Sequence, residues 1–278
     1  MWTEALTGNA EYNAAVIGEE GAYTVEEDPD YAFLVDPLDG TSGAVNGEFP
    51  WITTAVTVLE DVDVNENRVT GSPAGSYIRQ IDGTGTEFSS WDGEAQIDGE
   101  VRFTELDPSD QVPGTVEDTE IGPRTVESFE DLESDRKGLI SAYAAKKGRR
   151  PVRENFHGPL EELGDDVRIS LTGGSYTGAS VGWGKTSVAG EPKPTLPTEA
   201  AGEVFAKAMG AEASDIYGEE NDTITVEVGE DGPERTYTAV VAANEEILDE
   251  TLEAIDVEGL KEAYEDEFEI YSRRGGTP

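Results

Sequence analysis

An apolar run of the chain ends in two carboxylates that lie three residues apart. Ala32 to Val35 predicts a short buried strand, which leads directly into Asp36 and Asp39. The proline between the two acids stiffens the link, and the glycine after them lets the backbone turn sharply. The carbonyl of Leu38 lies between the acids, so three oxygens can converge on one hard cation. This pattern indicates a metal-binding loop at the end of a buried strand.

The residues on either side of this loop extend the same chemistry. Glu19 ends another apolar run and can bring a third carboxylate, while Gly40 to Ser42 offer backbone N–H groups and hydroxyls that suit a phosphate. Oxygen ligands beside an anion-binding backbone are the minimum that metal-assisted hydrolysis of a phosphoester requires. The alternative is that Asp36 to Gly40 is only a turn, because most of its residue types favour turns.

The acidic excess of the chain is extreme and dispersed. Asp and Glu number 61 against 19 Lys and Arg, and they are spread from Glu4 to Glu269. Such a spread predicts a solvated acidic surface rather than an interaction tail. With only seven Lys, it is typical of a halophilic protein in a cytoplasm rich in molar KCl, where salt screens the self-repulsion of a net charge of −42.

The composition also excludes several classes of partner and site. Nucleic acid is not expected as a partner, because phosphate contacts need clustered Lys and Arg and the one basic run, Lys146 to Arg150, is short. The absence of cysteine excludes a disulfide scaffold, a zinc–thiolate site and a Cys nucleophile. No long apolar run and no signal peptide is present, which predicts a cytoplasmic protein without a membrane partner. The one histidine, His157, is expected in a loop rather than as a general base.

The length of 278 residues is sufficient for two subdomains. The charged run Glu130 to Lys137 precedes a new apolar segment, and we place the boundary there. Residues 1–135 are then predicted to form an N-terminal α+β metal-binding subdomain, and residues 136–278 a C-terminal α/β subdomain.

Periodicity predicts the main elements of the second half. Val167 to Leu171 alternates as a strand, and Glu199 to Met209 has the spacing of a helix. Thr223 to Val228 and Thr236 to Val241 alternate on either side of a Gly-rich turn, which predicts a hairpin. Asn244 is expected to cap a final helix.

These motifs resemble the inositol monophosphatase family, which includes the fructose-1,6-bisphosphatases. Gly18 to Glu20 and Asp36 to Thr41 match the family's first signature in identity, order and spacing. Gly174-Ser175 lies where the family has a substrate-contacting Gly-Ser/Thr-Ala, and Ala200 to Gly202 resembles its Ala-Ala-Gly helix. The resemblance extends from about residue 14 to residue 256; its first motif is specific and the later ones are short.

The resemblance implies an α+β fold of alternating layers, an αβαβα sandwich. The first subdomain would hold an antiparallel sheet and the second a mixed sheet. It implies a Mg²⁺-dependent hydrolase that cleaves an inositol phosphate or a sugar phosphate with a metal-activated water. The partner would be a small phosphorylated substrate.

The resemblance also assigns roles to individual residues. Metal ligands would come from side chains and one carbonyl, while substrate and water would be held by backbone, hydroxyl and carboxyl groups. The implied metal ligands are Glu19, Asp36, Leu38 through its carbonyl, and Asp39. The implied substrate-binding residues are Gly40, Thr41, Gly174, Ser175 and Glu191. The implied catalytic residues are Thr41 and Glu19. Glu191 can equally be an exposed loop acid.

The chain departs from the family at a second-metal position. The family has Trp-Asp before its Ala-Ala-Gly helix, and that Asp ligates a second metal, but this chain has Pro197 and Thr198 there. A Thr hydroxyl is a neutral, weak ligand, and Thr198 instead suits a helix N-cap. Glu199 is next along, but one helical residue is a rotation of about 100°. The second-metal position therefore stays open between Thr198 and Glu199.

The front of the chain departs as well. The family has a largely helical stretch before its first motif, whereas only seventeen residues precede Gly18 here. We expect either a start placed too late or a homodimer that covers the apolar face left open. Both departures keep an alternative function in view, which is a catalytically weakened family member that binds metal or a phosphorylated ligand in a regulatory or structural role.

Overall fold

The computed structural model describes residues 13–19, 21–24, 28–39, 52–65, 67–81, 86–98, 104–106, 113–115, 139–141, 150–164, 168–170, 174–229 and 232–273. These residues form alternating layers: a large sheet, a pair of helices, a second sheet and an outer group of helices. The layered α+β fold is therefore confirmed.

The first sheet has nine strands within the described residues, and its order is β15-β14-β5-β4-β3-β1-β2, with β6 beside β5 and β7 beside β6. Its strands are β1 (Ala14–Gly18), β2 (Gly21–Thr24), β3 (Tyr31–Asp39), β4 (Thr53–Asn65), β5 (Arg68–Gln80), β6 (Glu87–Trp91), β7 (Glu94–Asp98), β14 (Ile224–Gly229) and β15 (Gly232–Pro233). The strand pairs are antiparallel except β1 with β3, which is parallel. The predicted antiparallel sheet thus contains one parallel pair.

The second sheet is mixed, as predicted, with the order β11-β10-β12-β16-β13. Its strands are β10 (Leu139–Ser141), β11 (Arg168–Ser170), β12 (Val188–Thr195), β13 (Glu212–Ser214) and β16 (Tyr237–Ala242), while β8 (Thr104–Leu106) and β9 (Pro113–Thr115) form a separate pair. Strand β10 runs parallel to β11 and β12, and β16 runs antiparallel to β12 and β13.

The helices fill the middle layer and cover the second sheet. They are α1 (Arg150–Val152), a π-helical turn (Arg153–His157), α2 (Gly158–Glu161), α3 (Ser175–Gly182), a 3-10 turn (Pro197–Ala200), α4 (Ala201–Ala208), α5 (Glu245–Ala254), α6 (Val257–Ala263) and α7 (Glu265–Arg273). Asn244 caps α5 as predicted, since its Oδ1 accepts a hydrogen bond from the Ile247 N–H at 2.9 Å, but α5 is not the final helix, because α6 and α7 follow it. In the part of the chain that the structure describes, no helix has the length and apolar character needed to cross a membrane.

Alternation along β1, β3 and β4 divides their apolar side chains between the two faces of the first sheet. Ile17, Leu34 and Leu59 are fully buried in one cluster, together with residues of the second sheet. Val16 and Val35 lie in a separate cluster. The strands that lead to the acidic loop are therefore fixed by packing on both faces.

Helices α3 and α4 cross at glycines. A Cβ on Gly202 would lie 2.1 Å from the Ser175 carbonyl oxygen, and a Cβ on Gly178 would lie 2.7 Å from the Gly202 carbonyl carbon. Neither position can accept a side chain without a shift of backbone. This close crossing sets the start of α3 beside the start of α4.

Two predictions, of strand pairing and of helix capping, are wrong. A tight hairpin does form at the Gly-rich turn, but its second strand is β15 rather than β16. Strand β14 also pairs with β5 of the first sheet, while β16 pairs with β12 and β13 of the second. Thr198 does not cap a helix: it lies inside the 3-10 turn, which has Leu196 at its N-cap position. In both places, contacts between residues distant in sequence determine the structure, whereas the predictions used only local turn and capping preferences.

The predicted subdomain boundary at residues 135/136 stays a prediction. The pairing of β14 with β5 does show that a segment beyond this boundary completes the first sheet. The two halves therefore share one sheet through residues 224–229.

His157 is not in a loop as expected. It ends the π-helical turn, its side chain is 1% exposed, and its ring nitrogens have no hydrogen-bond partner. Burial, followed by the nearby charge of Arg153, lowers the pKa of His157 from 6.5 to about 4. The imidazole therefore acts as a neutral core side chain at physiological pH.

Gly202→Ala should lower the free energy of unfolding by about 2 kcal/mol, because the new methyl group meets the Ser175 carbonyl oxygen. Denaturant unfolding in molar KCl measures this. Gly158→Ala is the matched control, since Gly158 has a helical φ of −57° and the nearest atom to its added Cβ is 3.3 Å away. It should change stability by less than about 1 kcal/mol. Equal effects of the two substitutions would contradict the close crossing.

His157→Phe should reduce the acid sensitivity of the fold. The folded pKa lies below the unfolded value, so the unfolded chain binds the proton first and wild-type stability falls from about pH 6.5 to pH 4. The loss attributable to this side chain is about 3 kcal/mol. Denaturant unfolding at pH 7 and pH 4.5 checks this, and an unchanged difference between the two pH values in the variant would refute it.

Candidate active site

A β-bulge at the end of β3 brings Asp36 and Asp39 to the same side of the sheet. Asp36 pairs with Ala55 and Asp39 pairs with Thr53, so three steps along β3 match two steps along β4. Residues three apart in a regular strand face opposite sides, and the extra residue cancels that alternation. Both carboxylates are 5% exposed, while the Leu38 side chain between them is 41% exposed.

Hydrogen bonds fix the bulge and both acids. The Leu38 N–H donates to Asp36 Oδ1 at 3.0 Å, and Thr54 Oγ1 donates to the Pro37 carbonyl at 3.0 Å. Asp39 Oδ2 accepts from Thr53 Oγ1 at 3.3 Å and from the Ser175 N–H at 2.5 Å. The loop that the sequence singled out is therefore a structured pair of buried acids.

Gly174 and Ser175 join the acid pair through their backbone. Gly174 has φ of +64°, and a Cβ there would lie 1.8 Å from Asp39 Oδ1. Only glycine therefore lets the first turn of α3 come close enough for the Ser175 N–H to reach Asp39. The structure places these two residues beside the metal loop; their predicted contact with substrate stays a prediction.

Burial is the main cause that raises the pKa values of both acids. Burial raises the pKa of Asp36 from 3.8 to about 8, with further contributions from the charges of Asp39 and Glu19. Burial and the charge of Glu199 raise the pKa of Asp39 to about 7, against the hydrogen bonds from Ser175 and Thr53. Two such groups cannot both ionise at neutral pH without a compensating cation.

The 3-10 turn places Glu199, rather than Thr198, in electrostatic contact with the acid pair. The charge of Glu199 raises the pKa values of both Asp36 and Asp39, and its Oε1 accepts a hydrogen bond from Thr195 Oγ1 at 2.7 Å. Thr198 is 1% exposed, and its hydroxyl has no hydrogen-bond partner.

Glu191 is buried in β12 rather than exposed in a loop. It is 8% exposed, and together with Gly174 and Glu199 it lines a small crevice of about 20 Å³. The same crevice is lined by Glu203 and Tyr237.

Glu203 and Tyr237 were missed in the sequence. The Tyr237 hydroxyl donates to Glu203 Oε2, and the Asn221 side-chain amide donates to the same oxygen at 3.0 Å. Burial and then the charge of Glu203 raise the pKa of Tyr237 well above 10. The sequence feature that could have indicated a role for Glu203 is its place as an acidic residue among small and apolar residues of α4, most of which are buried.

Asp36 and Asp39 fit a divalent cation, but the structure does not bring the complete set of predicted ligands together. Within the described residues no salt bridge reaches Asp36 or Asp39, so a cation would relieve their repulsion. Glu19 is exposed, and in the same part of the chain no three acidic or histidine side chains converge closely enough to hold a metal by themselves. Gly40 and Thr41, predicted to hold phosphate and water, lie outside the described residues.

Comparison with solved structures shows which proteins share this fold. No protein-family model and no curated protein matches the sequence. Among solved structures, the extragenic suppressor protein SuhB from Bartonella henselae superposes with a TM-score of 0.62 at 16% identity, over 91% of this chain and 80% of that chain. A Ca-bound IMPase family protein from Staphylococcus aureus gives 0.60 at 14% identity, over 91% and 77%.

The inositol monophosphate-bound SaIMPase-II also superposes, with a TM-score of 0.59 at 16% identity, over 99% of this chain and 85% of that chain. The described layers and these matches define one class of architecture, the layered α+β sandwich. More particularly, it is the fold of the inositol monophosphatases, as the sequence motifs predicted.

Asp36→Asn should flatten the pH dependence of stability in the metal-free protein. Both acids have raised pKa values, so the folded state holds protons that the unfolded chain has already released between about pH 4 and pH 8. Wild-type stability in EDTA should therefore fall as pH rises through this window, and addition of Mg²⁺ should restore several degrees of Tm.

In the Asp36→Asn protein both the fall and the Mg²⁺ response should be smaller, whereas Asp249→Asn, at an exposed position of α5, should behave like wild type. Thermal unfolding followed by circular dichroism measures all three proteins. A wild-type Tm that rises between pH 5 and pH 8 in EDTA would contradict this interpretation of the acid pair.

Proposed function

We propose that this chain is a Mg²⁺-dependent phosphomonoesterase that hydrolyses an inositol phosphate or a sugar phosphate. The observation that carries the proposal is the pair of buried carboxylates, Asp36 and Asp39, set against the first turn of α3. The fold supports it, because the solved structures that share it include a protein bound to inositol monophosphate and one bound to Ca²⁺.

In this proposal Asp36, Asp39 and the Leu38 carbonyl bind the cation, with Glu19 approaching from the end of β1. Bound Mg²⁺ would supply a Lewis acid and a more acidic water. The raised pKa values of the two acids support this proposal, because a bound cation would offset the cost of ionising them. Thr53 and the Ser175 N–H orient Asp39 and leave its other oxygen for the metal.

The remaining assignments complete the proposal. Gly40 and Thr41 would hold the phosphate, and Thr41 and Glu19 would orient the attacking water. Gly174, Ser175 and Glu191 would form the substrate side of the pocket, with Glu191 accepting a hydrogen bond from a substrate hydroxyl. We further propose a homodimer and an acidic halophilic cytoplasmic protein, the latter because a dispersed acidic surface with few Lys suits molar KCl.

A second function, a weakened family member that binds metal or a phosphorylated ligand without efficient turnover, is favoured by one observation. Thr198, at the position that the resemblance assigns to a second-metal ligand, has a buried hydroxyl without a hydrogen-bond partner in place of a carboxylate. Glu199 lies nearby and contributes charge to the acid pair, but Thr195 holds one of its oxygens. We propose that Glu199 supplies this second position in part.

Phosphate release from inositol 1-phosphate and from fructose 1,6-bisphosphate, in molar KCl with Mg²⁺, tests the enzyme directly. The wild-type protein should release phosphate from one or both, and Asp36→Asn should lower kcat by about 100-fold or more, because it removes a metal ligand. Asp249→Asn is the control and should retain wild-type rates. Wild-type release no faster than that of Asp36→Asn would eliminate the phosphatase and leave the weakened binder.

Thr198→Asp should raise Mg²⁺-dependent activity by about tenfold, because it restores a charged ligand at the second-metal position, which is worth about 1.4 kcal/mol at that factor. Thr198→Asn, which adds similar bulk without charge, should give no gain. Glu199→Gln should lower activity in wild type but less in the Thr198→Asp protein. A gain from Asn equal to that from Asp would show that charge at this position is not limiting.

A further inference from the structure

A cavity among the described residues lies away from the acid pair. It has a volume of about 300 Å³ and is enclosed by strand β5, the β6–β7 turn, helix α4 and the loop before β14. This is the lower end of the range for small-molecule sites, and it corresponds to about ten water volumes. None of the predicted metal or substrate residues lines it.

The cavity has an apolar wall. Val204 and Ala208 lie one turn apart on α4, and Pro73, Ala74 and Ile224 close the opposite side. Such a wall accepts a small aliphatic group and gains from its burial.

The charged groups of the cavity are arranged at two levels. At its base Glu203 is 4% exposed, and its carboxylate accepts hydrogen bonds from Tyr237 and Asn221. At its mouth Lys207 Nζ faces Asp222 Oδ1 at 3.7 Å, with side chains 36% and 74% exposed. That separation is an ion pair but too long for a hydrogen bond, so the ammonium group can still donate to a ligand.

The charges select the class of ligand. Glu203, Asp222 and Lys207 together carry one net negative charge, and the whole chain carries −42, so a net anion is repelled. A cation alone would leave Lys207 without a new partner. A molecule with both charges can interact with all three groups.

We propose that this cavity binds a small zwitterionic amino acid with an aliphatic side chain. Its carboxylate pairs with Lys207, its ammonium group faces Asp222 and Glu203, and its side chain packs on Val204 and Ala208. Glu203 lines both this cavity and the crevice that contains Glu191 and Glu199, so one side chain links the ligand to the candidate active site. Binding itself is independent of the proposed phosphatase activity.

Calorimetric titration of the full chain with L-valine in buffered KCl tests the proposal. L-Valine should bind saturably, and isobutylamine, which lacks the carboxylate, and isovalerate, which lacks the ammonium group, should each bind at least tenfold more weakly. No saturable binding of L-valine, or equal affinity for either analogue, would overturn the zwitterion site.

Two variants place the binding in this cavity. Lys207→Met should weaken L-valine binding about tenfold, and Ala208→Leu, which fills the cavity from α4, should abolish it. Lys261→Met is the matched control, because Lys261 also forms an exposed ion pair, with Glu258 at 2.8 Å, outside the cavity. Equal loss in Lys261→Met and Lys207→Met, or full binding in Ala208→Leu, would refute the assignment. Unchanged circular dichroism spectra establish that each variant is folded.

Discussion

The repulsion between two buried carboxylates is the constraint on which the candidate site depends. Asp36 and Asp39 share one side of β3 only because a bulge adds a residue to the strand. Burial then raises both pKa values, the charge of Glu199 raises both further, and the charges of Asp39 and Glu19 also raise the pKa of Asp36. Among the described residues, no salt bridge neutralises this pair. The folded protein is therefore expected to favour a bound cation between the two acids.

The middle layer supplies the rest of the site through close packing. Glycines at positions 178 and 202 let α3 and α4 touch, and Gly174 lets the α3 N-terminus reach Asp39. The 3-10 turn before α4 contacts β3 and β4, and the charge of Glu199 in this turn acts on both acids. The positions of the groups around Asp39 therefore depend on Gly174, Gly178 and Gly202, where a side chain cannot fit.

The sequence predicted the parts of the fold that depend on local pattern. The apolar runs of β1 and β3, the helical spacing of Glu199 to Met209 and the Asn244 cap all follow from periodicity and side-chain chemistry. It could not predict which sheet β14 and β16 join, because that depends on contacts between residues distant in sequence, such as Ile224 with Gly71 and Val240 with Gly190.

The same limit applied to the site. Asp36 and Asp39 were found by their motif, whereas the buried role of Glu203 depends on its partner Tyr237, which is 34 residues away and on another element.

The most direct test of this account is a carboxyl-carbon NMR titration of Asp36 and Asp39 in the metal-free protein, repeated with Mg²⁺. The account predicts titration midpoints of about 8 and about 7 without metal, and midpoints several units lower with saturating Mg²⁺. Midpoints near 4 in the metal-free protein, unchanged by Mg²⁺, would contradict it.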